Sequence, residues 1–150
     1  MALVIIAGWF VIGDHHLDAE ALRSAVREMG LARPESYLAG AAAWTFANSL
    51  MEEFVYRWFV FTRCDRLMPV SAAMIASAGV FTVHHVVALS TYLPWHLTAL
   101  ASFGVFTGGV LWTWLYSRYR SIWPGWISHV LADVAVFAVG WVVLFGSNTG

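Results

Sequence analysis

The chain has 150 residues, 60% of them hydrophobic and 11% charged. A soluble domain averages about 45–50% apolar and about 25% charged residues, so the excess points to one integral membrane domain in a lipid bilayer. The formal net charge of −1 gives no basis for nucleic-acid binding, and the single cysteine, Cys64, excludes an intrachain disulfide. All eight basic residues are Arg. With abundant Ala, Gly, Val and Trp, that suggests GC-rich bacterial coding and hence a bacterial cytoplasmic membrane. Nine Trp and five Tyr suit aromatic belts at the two interfaces.

In chain order, Met1 to Gly13 is apolar but short. At about 1.5 Å per residue it cannot cross a hydrocarbon core of about 30 Å. It lacks the basic start and small-residue cleavage site of a signal peptide. Leu17 to Gly30 reads as an amphipathic helix lying on the membrane surface, capped by Asp18, with Leu17 and Leu22 as a hydrophobic staple. Leu22, Ala25, Val26 and Met29 form its apolar stripe, and Gly30 is placed to end it.

Four longer apolar segments follow, about Tyr37–Phe61, Pro69–Tyr92, Trp95–Tyr116 and Ile122–Phe145. Each is long enough to span with some tilt. Pro94 breaks the chain before the third, Ser121 can cap the fourth, and Pro124 falls in its first turn. Gly104 and Gly108, with Ala101, give the third segment a small face for close helix packing. The expected fold is therefore an all-α bundle of about four transmembrane helices. Residues 1–36 are an N-terminal apolar segment and interfacial helix, and residues 37–150 are the bundle. Arg63 and Arg66 in the first connection and Arg118 and Arg120 in the third lie on one side, which the positive-inside rule makes cytoplasmic. The three Arg and five acids from Asp14 to Glu35 fall on the other side and weaken that assignment.

The polar residues inside these spans are few. The first carries Glu52, Glu53 and Arg57, the second His84 and His85, and the fourth His129 and Asp133. A charge at the middle of a membrane helix costs roughly 2.5–3.5 kcal/mol on insertion scales, so each needs a compensating reason. Counted from the Arg-bearing side, Glu52 lies about 11 residues deep, His85 about 15, and His129 and Asp133 about 7 and 11, close enough to the midplane to converge. Glu53 and Arg57 are spaced i,i+4 in the favourable order, as a structural ion pair would be. Glu52 is left without that partner and is the candidate general base. His129 and Asp133 are also i,i+4, so the carboxylate can orient the imidazole. His84 points about 100° from His85 and is read as packing or as a support behind the site. Two chemistries fit the set. Glu52 and His85 could activate a water, or Glu52, His85 and His129 could hold Zn²⁺. The spacing does not choose between them.

Glu-Glu-x-x-x-Arg at Glu52–Arg57, Phe-x-x-x-His at Phe81–His85 and His-x-x-x-Asp at His129–Asp133, in that order on successive apolar segments, resemble the CPBP family of intramembrane proteases. That family includes the type II CAAX prenyl endopeptidases and the bacterial abortive-infection (Abi) proteins. The resemblance covers about Ala47 to Val134. It implies a helical membrane endopeptidase acting on a membrane-associated protein or peptide. Glu52 matches the base that activates water, His85 its partner, and His129 and Asp133 the pair that stabilises the oxyanion. An ionised Asp133 cannot donate a hydrogen bond, so it would act protonated or by holding His129. Glu53 and Arg57 match as supports. A metal-free glutamate mechanism is the implied chemistry, with Zn²⁺ as the alternative.

Other readings explain less. A lipid-phosphate phosphatase would use Ser117, Arg118, His129 and Asp133, but the ten residues between Arg118 and His129 are too many and the chain has no Lys. A His-Glu-x-x-His zinc protease and a Gly-x-Ser-Gly serine protease lack their motifs. Haem ligation by His85 and His129 leaves the Glu pair unexplained. A non-catalytic CPBP-like scaffold or immunity protein would be free to lose Glu52, His85 and His129.

Overall fold

The computed structural model describes residues 19–91 and 93–146, and among these there is no strand. The Met1–Gly13 segment, Asp18 and the Leu17–Leu22 staple lie outside the described residues and side chains. The chain divides into two compact units, one built from residues up to Asn48 and from Val130 onward, the other from Ser49–His129.

In the first unit, helix α1 (Ala19–Glu28) ends at Gly30, whose φ of +74° is the left-handed conformation that glycine adopts without a Cβ penalty. Gly30 N–H donates to the Arg27 carbonyl at 3.0 Å and Leu31 N–H to the Val26 carbonyl at 2.9 Å. These two bonds form a Schellman motif. Of the expected apolar stripe, Val26 is buried and Met29 is exposed. Helix α2 (Pro34–Ala43) begins on its proline, where a missing N–H does no harm, and runs into π-helical turns at Trp44–Asn48. Tyr37 anchors this unit. Its hydroxyl donates to the Phe137 carbonyl at 2.9 Å, and its ring meets those of Phe137 and Phe145 edge-on.

The second unit starts with α3 (Ser49–Glu53), continues as π turns over Phe54–Phe61, and closes with α4 (Thr62–Cys64). Two long helices follow, α5 (Val70–Ser90) and α6 (Trp95–Tyr119). Helix α7 (Trp123–Phe145) contributes its first turns, to His129. The expected first span, Tyr37–Phe61, is helical throughout but is not one regular α-helix. Wider i→i+5 turns disturb the i→i+4 ladder. A buried hydroxyl meets one of their carbonyls, as Ser77 Oγ on α5 donates to Tyr56 O at 2.7 Å. Among the described residues three helices, α5, α6 and α7, are long and apolar enough to cross a membrane.

The unit is inside-out relative to a soluble protein. Its fully buried side chains include Glu53, Arg57, Ser49, Ser77 and Thr113. Its exposed ones include Phe54, Trp58, Phe59, Val83, Val87 and Phe103. Such a surface is costly in water and suits lipid, so the protein is an integral membrane protein. Asp65, in the first connection, meets Arg120, after α6, at 3.3 Å, which puts those two connections at the same end of the unit.

Helices α5 and α6 pack closely at Gly109. A Cβ there would lie 3.2 Å from Ala78 Cβ and 3.2 Å from Phe81 Cδ1. Gly104, expected to share this small face, is instead exposed, with nothing within 4 Å of an added Cβ. Helix rotation decides which glycine faces the neighbour. Gly109→Val is expected to destabilise the detergent-solubilised protein by about 1–3 kcal/mol through overpacking, while Gly104→Val leaves its thermal midpoint unchanged. Equal midpoints for the two variants would contradict the α5–α6 contact.

Candidate active site

Within the Ser49–His129 unit, five ionisable side chains converge. Glu52 and Glu53 close α3, just before the π turns, a setting that often marks functional positions. Glu53 is fully buried. Its Oε2 lies 3.4 Å from Arg57 Nε, and its Oε1 accepts a hydrogen bond from His129 Nδ1 at 3.1 Å. A carboxylate only accepts, so this contact places the hydrogen on Nδ1 and leaves Nε2 to face elsewhere. Nε2 faces Glu52, 3.6 Å from its Oε2. The other Glu52 oxygen, Oε1, lies 3.9 Å from His84 Nε2.

Aromatic rings hold this cluster. The His129 ring stacks on Trp112 with centroids 4.1 Å apart and an interplanar angle of 15°. The Arg57 guanidinium carbon lies 4.5 Å from the Phe81 ring centroid and 5.2 Å from that of Trp112. Ring faces attract a cation, so they supplement the Glu53 charge in offsetting the burial of Arg57. Gly125, one turn before His129 on α7, makes room for the carboxylate: a Cβ at this position would sit 2.6 Å from Glu53 Oε2.

The two histidines of α5 are placed differently. His85 is half-buried against Phe81, ring centroids 4.3 Å apart, and its Nδ1 donates to the Phe81 carbonyl at 3.0 Å. That bond fixes the neutral tautomer with Nε2 as acceptor. The His84 side chain is 58% exposed, and that of Glu52 only 8%. His84, read from sequence as packing or as a support behind the site, brings its Nε2 to 3.9 Å from Glu52 Oε1. Asp133, four residues beyond His129 on α7, is half-buried in the other unit. His129 Nδ1 is held by Glu53 at 3.1 Å.

Sequence reasoning missed Trp112, Gly125 and the placement of His84. Trp112 was counted with the interfacial aromatics, yet it is 3% exposed. A signal existed: Trp112 lies seven residues before the end of α6 and His129 six residues after the start of α7, so the short connection sets them at matching depth. Among the described residues no three His, Cys, Asp or Glu side chains are arranged to hold a metal ion, so the Zn²⁺ set of Glu52, His85 and His129 is not assembled in this geometry.

A carboxylate beside an oriented imidazole, with an exposed second imidazole nearby, is an arrangement that can activate water and stabilise developing negative charge. No curated protein and no solved structure matches the chain. A family model described as "Type II CAAX prenyl endopeptidase Rce1-like" matches residues 34–135, more than half the chain and the whole stretch from Glu52 to Asp133. The chain belongs to this Rce1-like family of type II CAAX prenyl endopeptidases.

Proposed function

We propose that the protein is an intramembrane endopeptidase that hydrolyses a peptide bond in a membrane-associated protein or peptide, with Glu52 as the base that activates water. The observation that carries this reading is the unequal treatment of two adjacent carboxylates. Glu53 is tied to Arg57 and His129 inside the bundle, whereas Glu52 has His129 on its buried side and the exposed His84 on the other. Glu53 faces a guanidinium, whereas the contacts of Glu52 are to two imidazoles, groups that can exchange protons with it. The Arg-only basic complement supports a place in the bacterial cytoplasmic membrane.

In this mechanism Glu52 removes a proton from water, and the hydroxide attacks the scissile carbonyl. His85, its Nδ1–H committed to Phe81, offers Nε2 as an acceptor that holds the same water. His129, carrying protons on both nitrogens and held through Nδ1 by Glu53, donates from Nε2 to the tetrahedral oxyanion. In a low-dielectric site a fixed donor of this kind is worth more than in water. The mechanism needs no hydrogen bond from Asp133.

Glu52→Gln keeps the shape of the side chain and removes its basicity. It is expected to lower the cleavage of a prenylated CAAX peptide in liposomes by about 10²–10⁴-fold with the fold intact. Full activity in this variant would refute the assignment.

Arg57→Met strands the Glu53 charge in the interior and is expected to cost about 3–5 kcal/mol in chemical unfolding. Adding Glu53→Gln removes that charge and should recover much of the loss. A double variant no more stable than the single one would mean that the two charges do not offset each other.

Gly125→Ala should displace the Glu53 carboxylate and lower kcat. Gly79→Ala, with nothing within 4 Å of the added Cβ, should leave it unchanged. Equal kcat for the two variants would count against the Glu53–His129 contact as an orienting device.

A further inference from the structure

The proposed reaction needs a proton at the leaving amine, and the mechanism above assigns no residue to deliver it. Among the described residues, four basic side chains come near Glu52. His129 is 5% exposed in its side chain and committed through Nδ1 to Glu53. Arg57 is fully buried and turned toward Glu53. His85 has its Nδ1–H on the Phe81 carbonyl. His84 combines an open position with a ring nitrogen near the base: Nε2 lies 3.9 Å from Glu52 Oε1, and the side chain is 58% exposed. Its ring contacts those of Tyr56 and His85, with centroids 6.4 Å and 5.3 Å away.

The geometry points to His84 as the general acid that protonates the leaving amine. This rests on the peptidase reading proposed above. The step balances within the site. Glu52 takes one proton from water as the new C–O bond forms. Protonated His84 gives its proton to the amine nitrogen as the C–N bond breaks. Glu52 then passes the water proton to His84 Nε2, a movement of about 1 Å from their present separation to hydrogen-bond distance. Both residues return to their starting states, and no cofactor or external reductant enters. His84 also explains how the base is reset: Glu52, 8% exposed in its side chain, has a more open neighbour able to take its proton.

The test separates a proton donor from a support. Wild-type protein, His84→Gln and Glu52→Gln are reconstituted in liposomes and compared on two forms of a prenylated CAAX peptide. One has the natural amide at the scissile bond. The other has an aryl ester, whose leaving group departs without a proton. His84→Gln is expected to lose about 10²–10⁴-fold on the amide and less than about tenfold on the ester. Cleavage of the ester also shows that the variant is folded. Equal losses on both substrates, or none on either, would overturn the assignment of His84 and leave Glu52 as base. Undiminished cleavage by Glu52→Gln, or no cleavage by wild-type protein, would overturn the peptidase reading and the His84 assignment with it.

Discussion

The buried Glu53 carboxylate is the constraint on which the rest of the site depends. An ionised carboxylate inside a membrane bundle is tolerated only when its charge is offset and its oxygens are used. One oxygen faces Arg57 at 3.4 Å and the other takes the His129 Nδ1 hydrogen at 3.1 Å. Those contacts hold together parts of the unit that are distant in sequence: the Glu53–Arg57 stretch and the start of α7. They also fix the imidazole. With Nδ1–H on Glu53, the His129 ring presents Nε2 to Glu52, and Trp112 lies flat behind it. Phe81 contacts the same arrangement from α5, beside the Arg57 guanidinium.

The helical run around the Glu pair follows from the same demand. Four polar or ionisable side chains from it, Ser49, Glu52, Glu53 and Arg57, are buried, while Met51, Phe54, Trp58 and Phe59 are exposed. A regular α-helix repeats its facing direction every 3.6 residues. The π turns at Phe54–Phe61 alter that phase and turn bulky aromatics outward while Arg57 stays within reach of Glu53. They also disturb the backbone ladder, and Ser77 on α5 donates to the Tyr56 carbonyl. Ser77 is thus a buried polar residue with a stated reason for being there.

Much of the architecture was legible because lipid enforces it. Long apolar runs bounded by Pro69, Pro94 and the Arg-bearing connections define α5, α6 and α7 to within a few residues, since length and hydropathy are what a bilayer selects. Gly30 was readable as a helix end because only a residue without Cβ takes φ of +74° without strain. The π turns were not readable, because an apolar run carries the same composition whether its turns hold i→i+4 or i→i+5 bonds. In the site, the Glu53–Arg57 pair follows from spacing within one helix. Contacts between helices depend on rotation about each axis, which spacing does not supply. That is why Gly109 and not Gly104 meets α5, and why Glu53 holds His129 through Nδ1. His84 was set aside because it lies about 100° from His85. Adjacent residues on a helix can nevertheless flank one group if that group sits between their directions, and Glu52 has His84 at 3.9 Å.

Two identical side chains, next to each other in sequence, thus differ in what they can do because their surroundings differ. Glu53 has the buried Arg57 guanidinium 3.4 Å from one oxygen, an ion-pair contact without a hydrogen bond, and an imidazole N–H on the other, so its charge is offset. Such a group is suited to orienting another. Glu52 meets two imidazole nitrogens at 3.6 and 3.9 Å, distances longer than hydrogen bonds, with one imidazole buried and the other open. Of the two carboxylates, Glu52 is the one with an exposed imidazole beside it, which is the setting the proposed base requires. Exchanging the two roles would require Arg57 to turn toward Glu52 and Gly125 to release Glu53. The close approach of Gly125 to Glu53 and the aromatic contacts of Arg57 oppose both movements. The order of the pair is therefore set by packing around Arg57 and Gly125 and not by the carboxylates themselves.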